Sequence, residues 1–307
     1  MKVIEHKLRE RNLEKPQKRL YIAIVLNILI VLLQVIYGFI SNSISLLADA
    51  LHNLQDVVAL IIAVIAVIFT SKLPTKDMTY GFIRSEALAG FVNSLALMIT
   101  LFVIILFAIK RLISPEVVEG LYVAVFGLLG FVINLVSAKI IHIHHHEEEN
   151  HNHEDLNIKS AYLHLLSDAG ISLAVFLGGL AIYFYKIYWI DPLLSLIFSI
   201  YILKETFPVL KDSYNILMEA VPKHIDVDRL ILELREEFKS IKEIHDLHIW
   251  SLSSADIYLS AHIVIDNLNL SEYEKLLYQL ENFFKERGIN HITIQPETEN
   301  FNCQPLH

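Results

Sequence analysis

The 307-residue sequence predicts an α-helical membrane protein of six transmembrane helices followed by a small α+β domain. Three observations carry that expectation. The chain is 54% hydrophobic and only 19% charged, with a mean hydropathy of +0.48, which is a membrane composition. Its apolar residues gather in runs of about 20, the length that crosses a roughly 30 Å hydrocarbon core at about 1.5 Å per residue. After Pro208 the hydropathy falls and helix-like and strand-like patterns alternate.

The spans are expected at residues 20–40, 44–69, 86–109, 119–141, 158–185 and 188–207, behind an N-terminal arm of residues 1–19. The first run is too long for a signal-peptide core and has no A-x-A-like cleavage site after it, so it stays a spanning helix. An even number of spans places both termini on one side, and Lys/Arg placement names that side. The arm holds Lys2, Lys7, Arg9, Arg11, Lys15, Lys18 and Arg19, and the second connection holds Lys72, Lys76 and Arg84. The opposite connections are poorer: 41–43 carries no charge, Lys186 stands alone, and Lys110 and Arg111 sit at a helix end. Both termini are therefore expected in the cytosol, with the chain in the cell (inner) membrane.

Residues 208–307 read as the cytosolic domain. A helix over 226–239 precedes the strand-like runs EIHDLHIW and DIYLSAHIVID. Ser271, with Glu274 at capping-box spacing, opens a second helix that Gly288 closes before HITIQ, giving the order α-β-β-α-β. The single cysteine, Cys303, makes no intramolecular disulfide, which suits a cytosolic tail. The net charge is −9, and residues 209–307 carry nine Lys+Arg against seventeen Asp+Glu. That balance argues against a nucleic-acid partner.

Ionisable residues at mid-bilayer depth are costly and mark ion paths or proton relays. His52 and Asp56 lie at i, i+4 on one face of the second span, with Asp49 a turn earlier, and His164 and Asp168 repeat the spacing in the fifth. Helices packed through these faces assemble two imidazoles and two carboxylates, a donor set for tetrahedral Zn²⁺. The competing reading is interhelical hydrogen bonding, which explains one such pair better than two. No HExxH occurs and no spare Glu serves as general base, so hydrolytic chemistry is disfavoured and the chain is read as no enzyme. Protonating His52 and His164 from the far side would weaken metal binding, which makes H⁺ the expected counter-ion of Zn²⁺ movement. The rivals are the same machine for Cd²⁺, Co²⁺ or Fe²⁺, and a membrane metal sensor that does not transport.

Three further groups stand out. The low-complexity connection 142–155 holds His142, His144, His145, His146, His151 and His153 among Glu147, Glu148 and Glu149. It is expected to be a disordered cytosolic loop that collects Zn²⁺, or else a plain solvated linker. In the tail, His245, His262 and Glu297 fall on or beside the three strands and can converge at one sheet edge; His224, His248, His291 and Cys303 are weaker candidates. Asn27, Gln34, Asn93 and Asn134 are read first as interhelical hydrogen-bonding residues and second as pathway lining.

Over nearly its whole length the chain resembles the cation diffusion facilitator family of metal efflux transporters. The resemblance rests on LLADALHNLQD, YGFIRSEALAGFVN, AYLHLLSDAGIS, YWIDPLLS and DLHIWSL. It implies a six-span homodimer with a ferredoxin-like cytosolic domain. By the same resemblance His52, Asp56, His164 and Asp168 match the transport site, with a histidine at the first position as in zinc-type members, where manganese-type members have Asp. Cd²⁺ can share such a site. His245, His262 and Glu297 match positions that bind regulatory metal in relatives. The connection SKLPTKDMTYG offers only Asp77, so no metal site is assigned there. Glu205, Lys211 and Asp212 match charge locks between protomers, although solvated interfacial residues would look the same.

Overall fold

The structure is a computed structural model that describes residues 14–70, 74–147 and 156–301; the side chains of 14–26, 56, 59–60, 63–68, 70 and 140–161 lie outside the described set. Six long helices come first: α1 (Glu14–Ser41), α2 (Ile44–Thr70), α3 (Ser85–Ile113), α4 (Gly120–Glu147), α5 (Leu156–Tyr185) and α6 (Ile190–Leu217). They are followed by α7 (Val227–Glu237), β1 (Ile241–Ser251), β2 (Ile257–Ile265), α8 (Leu270–Glu286) and β3 (His291–Glu297). The chain forms two compact units, Met1–Leu60 with Ala96–Thr206, and Ile61–Leu95 with Phe207–His307.

In the first unit the apolar runs become helices because a helix satisfies its own backbone polar groups, as a lipid environment demands. Among the described residues four stretches are long and apolar enough to cross a membrane: Ser85–Ile113, Gly120–Lys139, Tyr162–Tyr185 and Ile190–Leu217; Asn27–Ser41 is a shorter apolar helix. Leu46, Leu101, Val123, Val175, Ile182 and Ile202 form a buried apolar core. Phe39, Phe102, Phe107, Leu177 and Phe184 point outward, a distribution that suits contact with lipid.

Small residues set the closest approach. A Cβ on Gly127 would lie 2.7 Å from the Phe176 backbone nitrogen, and one on Gly179 would lie 2.4 Å from that of Ala124. The α4 and α5 backbones therefore meet where side chains are missing. The turn between α1 and α2 is equally specific. Asn42 adopts a left-handed conformation (φ 55°), which Asn tolerates, and Ser43 N–H donates back to the Gly38 carbonyl at 3.0 Å. Ser43 then caps α2, its Oγ accepting from Leu46 N–H at 3.1 Å.

Two boundaries differ from expectation. Pro208 lies inside α6, which runs on to Leu217, so the fall in hydropathy there marks a change of surroundings and not a helix end. The helix closes where Glu219 turns left-handed (φ 57°) and Ala220 N–H reaches the Asn215 carbonyl at 2.9 Å. The backbone of α4 extends to Glu147, so His142, His144, His145 and His146 continue a helix where a disordered loop was expected. Their side chains, and all of His151 and His153, lie outside the described residues.

The second unit contains the expected α-β-β-α-β order. Its sheet runs β1-β2-β3, with β1 and β2 antiparallel and β2 and β3 parallel. Leu230 and Leu234 of α7 and Leu276, Leu280, Phe283 and Phe284 of α8 pack on Ile249, Leu259, Ala261 and Ile263 of the strands. Asp226 caps α7, accepting from Arg229 N–H at 3.1 Å. The capping box of α8 is Asn269 with Glu272, which corrects the expected Ser271 with Glu274. Both pairs satisfy the spacing, and the chain becomes helical at the first good N-cap, which puts Ser271 inside the helix. Gly288 (φ 83°) stops α8 as expected.

Candidate metal centres

The intramembrane cluster grows from α2 and α5, which present His52 and Asp168 to one another. His52 Nε2 lies 3.0 Å from Asp168 Oδ1, and His164 Nε2 lies 3.7 Å from Asp168 Oδ2. The two imidazole rings meet edge to face with centroids 5.9 Å apart. One donor atom from each of His52, His164 and Asp168 falls within 4.8 Å of the others. Tetrahedral Zn²⁺ with bonds of about 2.0–2.1 Å separates its donors by about 3.3 Å, and the two histidine distances to Asp168 fall on either side of that value. The exposures are uneven. The side chains of His52 and Asp168 are 10% and 3% exposed, whereas His164 is 52% exposed. The side chain of Asp56 lies outside the described residues.

A buried polar lattice stands one turn away from this cluster. Asp49 accepts from Gln34 Nε2 of α1 at 2.7 Å and from Ser172 Oγ of α5 at 3.1 and 3.2 Å. Gln34 Oε1 accepts from Asn53 Nδ2, and Ser172 Oγ accepts from Asn134 Nδ2 of α4, each at 3.4 Å. Gln34 and Asn134 thus bond between helices, as expected of them. Asn27 and Asn93 make no such bond among the described residues. Gly130 makes the lattice possible, because a Cβ there would lie 2.7 Å from Gln34 Nε2 and 3.1 Å from Ser172 Oγ.

Asp191, part of the YWIDPLLS motif, is a structural anchor of α2. It is fully buried at the start of α6 and accepts from Ile44 N–H (2.7 Å), Ser45 N–H (3.2 Å), and the hydroxyls of Ser43 and Ser45 (2.5 Å each). A carboxylate at a helix N-terminus satisfies orphan donors and complements the helix dipole. The only sequence signal was an acidic residue flanked by apolar ones.

The tail trio converges on the sheet. His245 of β1 pairs across from His262 of β2, and Glu297 of β3 lies beside Val264, two residues on from His262. Glu297 is buried, with Oε2 3.2 Å from His245 Nε2 and Oε1 2.9 Å from His262 Nδ1. One donor from each residue lies within 4.8 Å of the others, a borderline-soft N/N/O set that fits Zn²⁺. The weaker candidates fall elsewhere. His224 lines a cavity with Arg229, Glu233 and Arg287, His291 stands 5.3 Å from the Tyr258 ring, and Cys303 lies outside the described residues. His248 contacts Asp246. Asp77 is exposed, and so are Glu205, Lys211 and Asp212; Asp212 forms an ion pair with Lys223 of its own chain.

Comparison with known proteins places the chain in a family. Residues 20–218 match the cation efflux transmembrane domain, and residues 222–299 match the cytoplasmic domain of cation efflux proteins. The chain is 38% identical over 281 residues to the cadmium, cobalt and zinc/H(+)-K(+) antiporter of Bacillus subtilis, covering 89% of this chain and 88% of that protein. It is 32% identical over 277 residues to zinc transporter ZitB of Escherichia coli, covering 90% and 84%. It is also 32% identical over 299 residues to the metal cation efflux system protein CzcD of Cupriavidus metallidurans, covering 94% and 92%. The chain therefore belongs to the cation diffusion facilitator family of cation efflux membrane proteins.

Proposed function

We propose that this chain is a Zn²⁺/H⁺ antiporter that exports divalent metal from the cytosol through a site formed by His52, Asp56, His164 and Asp168. The observation that carries the reading is the meeting of His52 of α2 and Asp168 of α5 at 3.0 Å, with His164 beside them. Three of the four proposed ligands stand at donor spacings suited to Zn²⁺, and Asp56 follows His52 by one turn on the same helix face. Transport needs release as well as capture. Protonation of the two imidazoles supplies release, because metal and proton compete for the same nitrogen lone pairs. The chain acts by binding and conformational change, without covalent chemistry.

The same reading includes six spans formed by α1 to α6, both termini in the cytosol, and the cell (inner) membrane as the location. The tail, read as ferredoxin-like, holds two protomers together and binds regulatory Zn²⁺ at His245, His262 and Glu297. Its supports are the match to the cytoplasmic domain of the family and the donor set on the sheet. The His-rich segment 142–155 gathers metal on the cytosolic side. Cd²⁺ and Co²⁺ are further cargo, a reading favoured by the name of the Bacillus subtilis relative.

The test is Zn²⁺ uptake into inside-out vesicles under an imposed pH gradient, for the parent chain and for Asp168→Ala. Uptake that collapses with the gradient and is lost in Asp168→Ala supports the proposal. Uptake that persists in Asp168→Ala rejects the site, and uphill uptake without the gradient rejects proton coupling.

A further inference from the structure

Glu297 contacts His262 through Nδ1, which leaves the opposite ring nitrogen facing another carboxylate. His262 Nε2 lies 3.5 Å from Asp246 Oδ2, and the other oxygen of Asp246 lies 3.1 Å from His248 Nε2. Five side chains therefore alternate imidazole and carboxylate in the order His245, Glu297, His262, Asp246, His248. Only the first three have donor atoms gathered within 4.8 Å of one another. Asp246 and His248 stand outside that group, behind His262.

The backbone puts Asp246 there by a specific device. The β1–β2 register shifts between His245 and His248, and Asp246 takes a left-handed conformation (φ 49°) within that bulge. In a regular strand neighbouring side chains point to opposite faces. The extra residue of a bulge re-aims one of them, so Asp246 can join His245 beside His262. It is well shielded, with its side chain 18% exposed.

We infer that Asp246 is a positioning residue for the tail metal site: its carboxylate accepts a hydrogen bond from the Nε2–H of His262, so that His262 coordinates metal through Nδ1, and His248 holds Asp246 in place. A metal-bound imidazole has one lone pair for the ion and one N–H to place. A carboxylate accepting that N–H fixes ring orientation and tautomer and makes the ligand more basic. The inference rests on the reading of His245, His262 and Glu297 as a metal site.

The test uses the full chain in lipid nanodiscs with Zn²⁺ and Co²⁺ as probes, comparing parent, His262→Gln, Asp246→Asn and His248→Gln; only tail residues differ, so differences report the tail. Asn tolerates the left-handed backbone and keeps the size of Asp, and unchanged thermal unfolding without metal checks that the fold is intact. His262→Gln is expected to bind one ion fewer per chain. Asp246→Asn is expected to keep the parent stoichiometry, weaken the tail site about 10- to 100-fold and alter its Co²⁺ ligand-field spectrum. His248→Gln is expected to weaken it about 2- to 10-fold. In ¹⁵N-histidine spectra of the Zn²⁺-loaded chain, the ring lost in His262→Gln should carry metal on Nδ1 and a proton on Nε2. If His262→Gln binds as many ions as the parent, the tail-site reading falls and the inference with it. If His262→Gln loses an ion while Asp246→Asn matches the parent in affinity and spectrum, or if metal sits on Nε2, the inference alone is overturned.

Discussion

Ser172 Oγ donates to Asp49 at 3.1 and 3.2 Å, and this contact runs alongside the His52–Asp168 contact as a second link between α2 and α5. Asp49 precedes His52 by three residues and Ser172 follows Asp168 by four, so each helix offers both links from one face. The first link is where an ion is proposed to bind. The second is a closed hydrogen-bond lattice that reaches α1 through Gln34 and α4 through Asn134. It holds α2 and α5 at a set distance.

Replacing Asp49 with Ala should therefore leave Gln34 and Ser172 donors buried without their acceptor, at a cost of about 1–3 kcal/mol. Metal affinity at the intramembrane site should fall as well, since α2 and α5 lose a shared restraint. Thermal unfolding of the detergent-solubilised chain and Zn²⁺ titration measure the two effects. A variant with unchanged stability and affinity would show the lattice to be idle.

Gly130→Ala tests the same lattice without touching a polar group. The new methyl would lie 2.7 Å from Gln34 Nε2, so Gln34 must swing away from Asp49, with a cost of about 1–3 kcal/mol. Combining Gly130→Ala with Asp49→Ala should cost less than the sum of the two, because both break one network. Strict additivity would contradict the shared origin.

Asp191→Ala removes the carboxylate that receives two backbone N–H groups and two hydroxyls at the start of α2. The loss of this cap should cost at least about 1–2 kcal/mol. Faster amide exchange should appear at Ile44 and Ser45 in mass-spectrometric peptides covering that turn. Protection equal to the parent would mean that α2 is anchored by other contacts.

Glu233 offers a pH-dependent test outside the membrane-spanning helices. Hydrogen bonds from Arg229 and then Arg287 hold its carboxyl below the ordinary range. A carboxylate with a lowered folded-state value stabilises the fold above its unfolded value, and that contribution is lost as pH falls through the folded value. Arg287 also donates to the Phe283 carbonyl, so Glu233 ties α7 to α8. Amide exchange in α7 of the full chain, corrected for intrinsic rates, should rise between about pH 6 and about pH 3. Glu233→Gln should flatten that rise; an equal rise in both proteins would refute the assignment.

How much of this was legible in the sequence depends on the range of each interaction. The faces bearing His52 and the pair His164 and Asp168 follow from a helical period, so they could be read from spacing alone, and Gln34 and Asn134 stood out as amides in apolar runs. The role of Asp191 could not be read, because its partners lie up to 148 residues away and two of them are backbone N–H groups that carry no residue identity. Asp246 was hidden for another reason. Strand alternation assigns it to the face opposite His245, and only the bulge, a product of pairing with β2, turns it toward His262. The start of α8 at Asn269 shows the remaining limit, since two overlapping capping patterns competed and spacing does not rank them.

The proposed antiport mechanism requires α2 and α5 to hold one metal ion jointly. Zinc X-ray absorption tests it on the full chain in nanodiscs, with His245, His262 and Glu297 replaced so that the tail does not contribute. The expected result is a four-coordinate nitrogen and oxygen shell at about 2.0–2.1 Å with two imidazole signatures, absent in Asp168→Ala. The same shell in Asp168→Ala, or a bound ion with no imidazole signature, would contradict it.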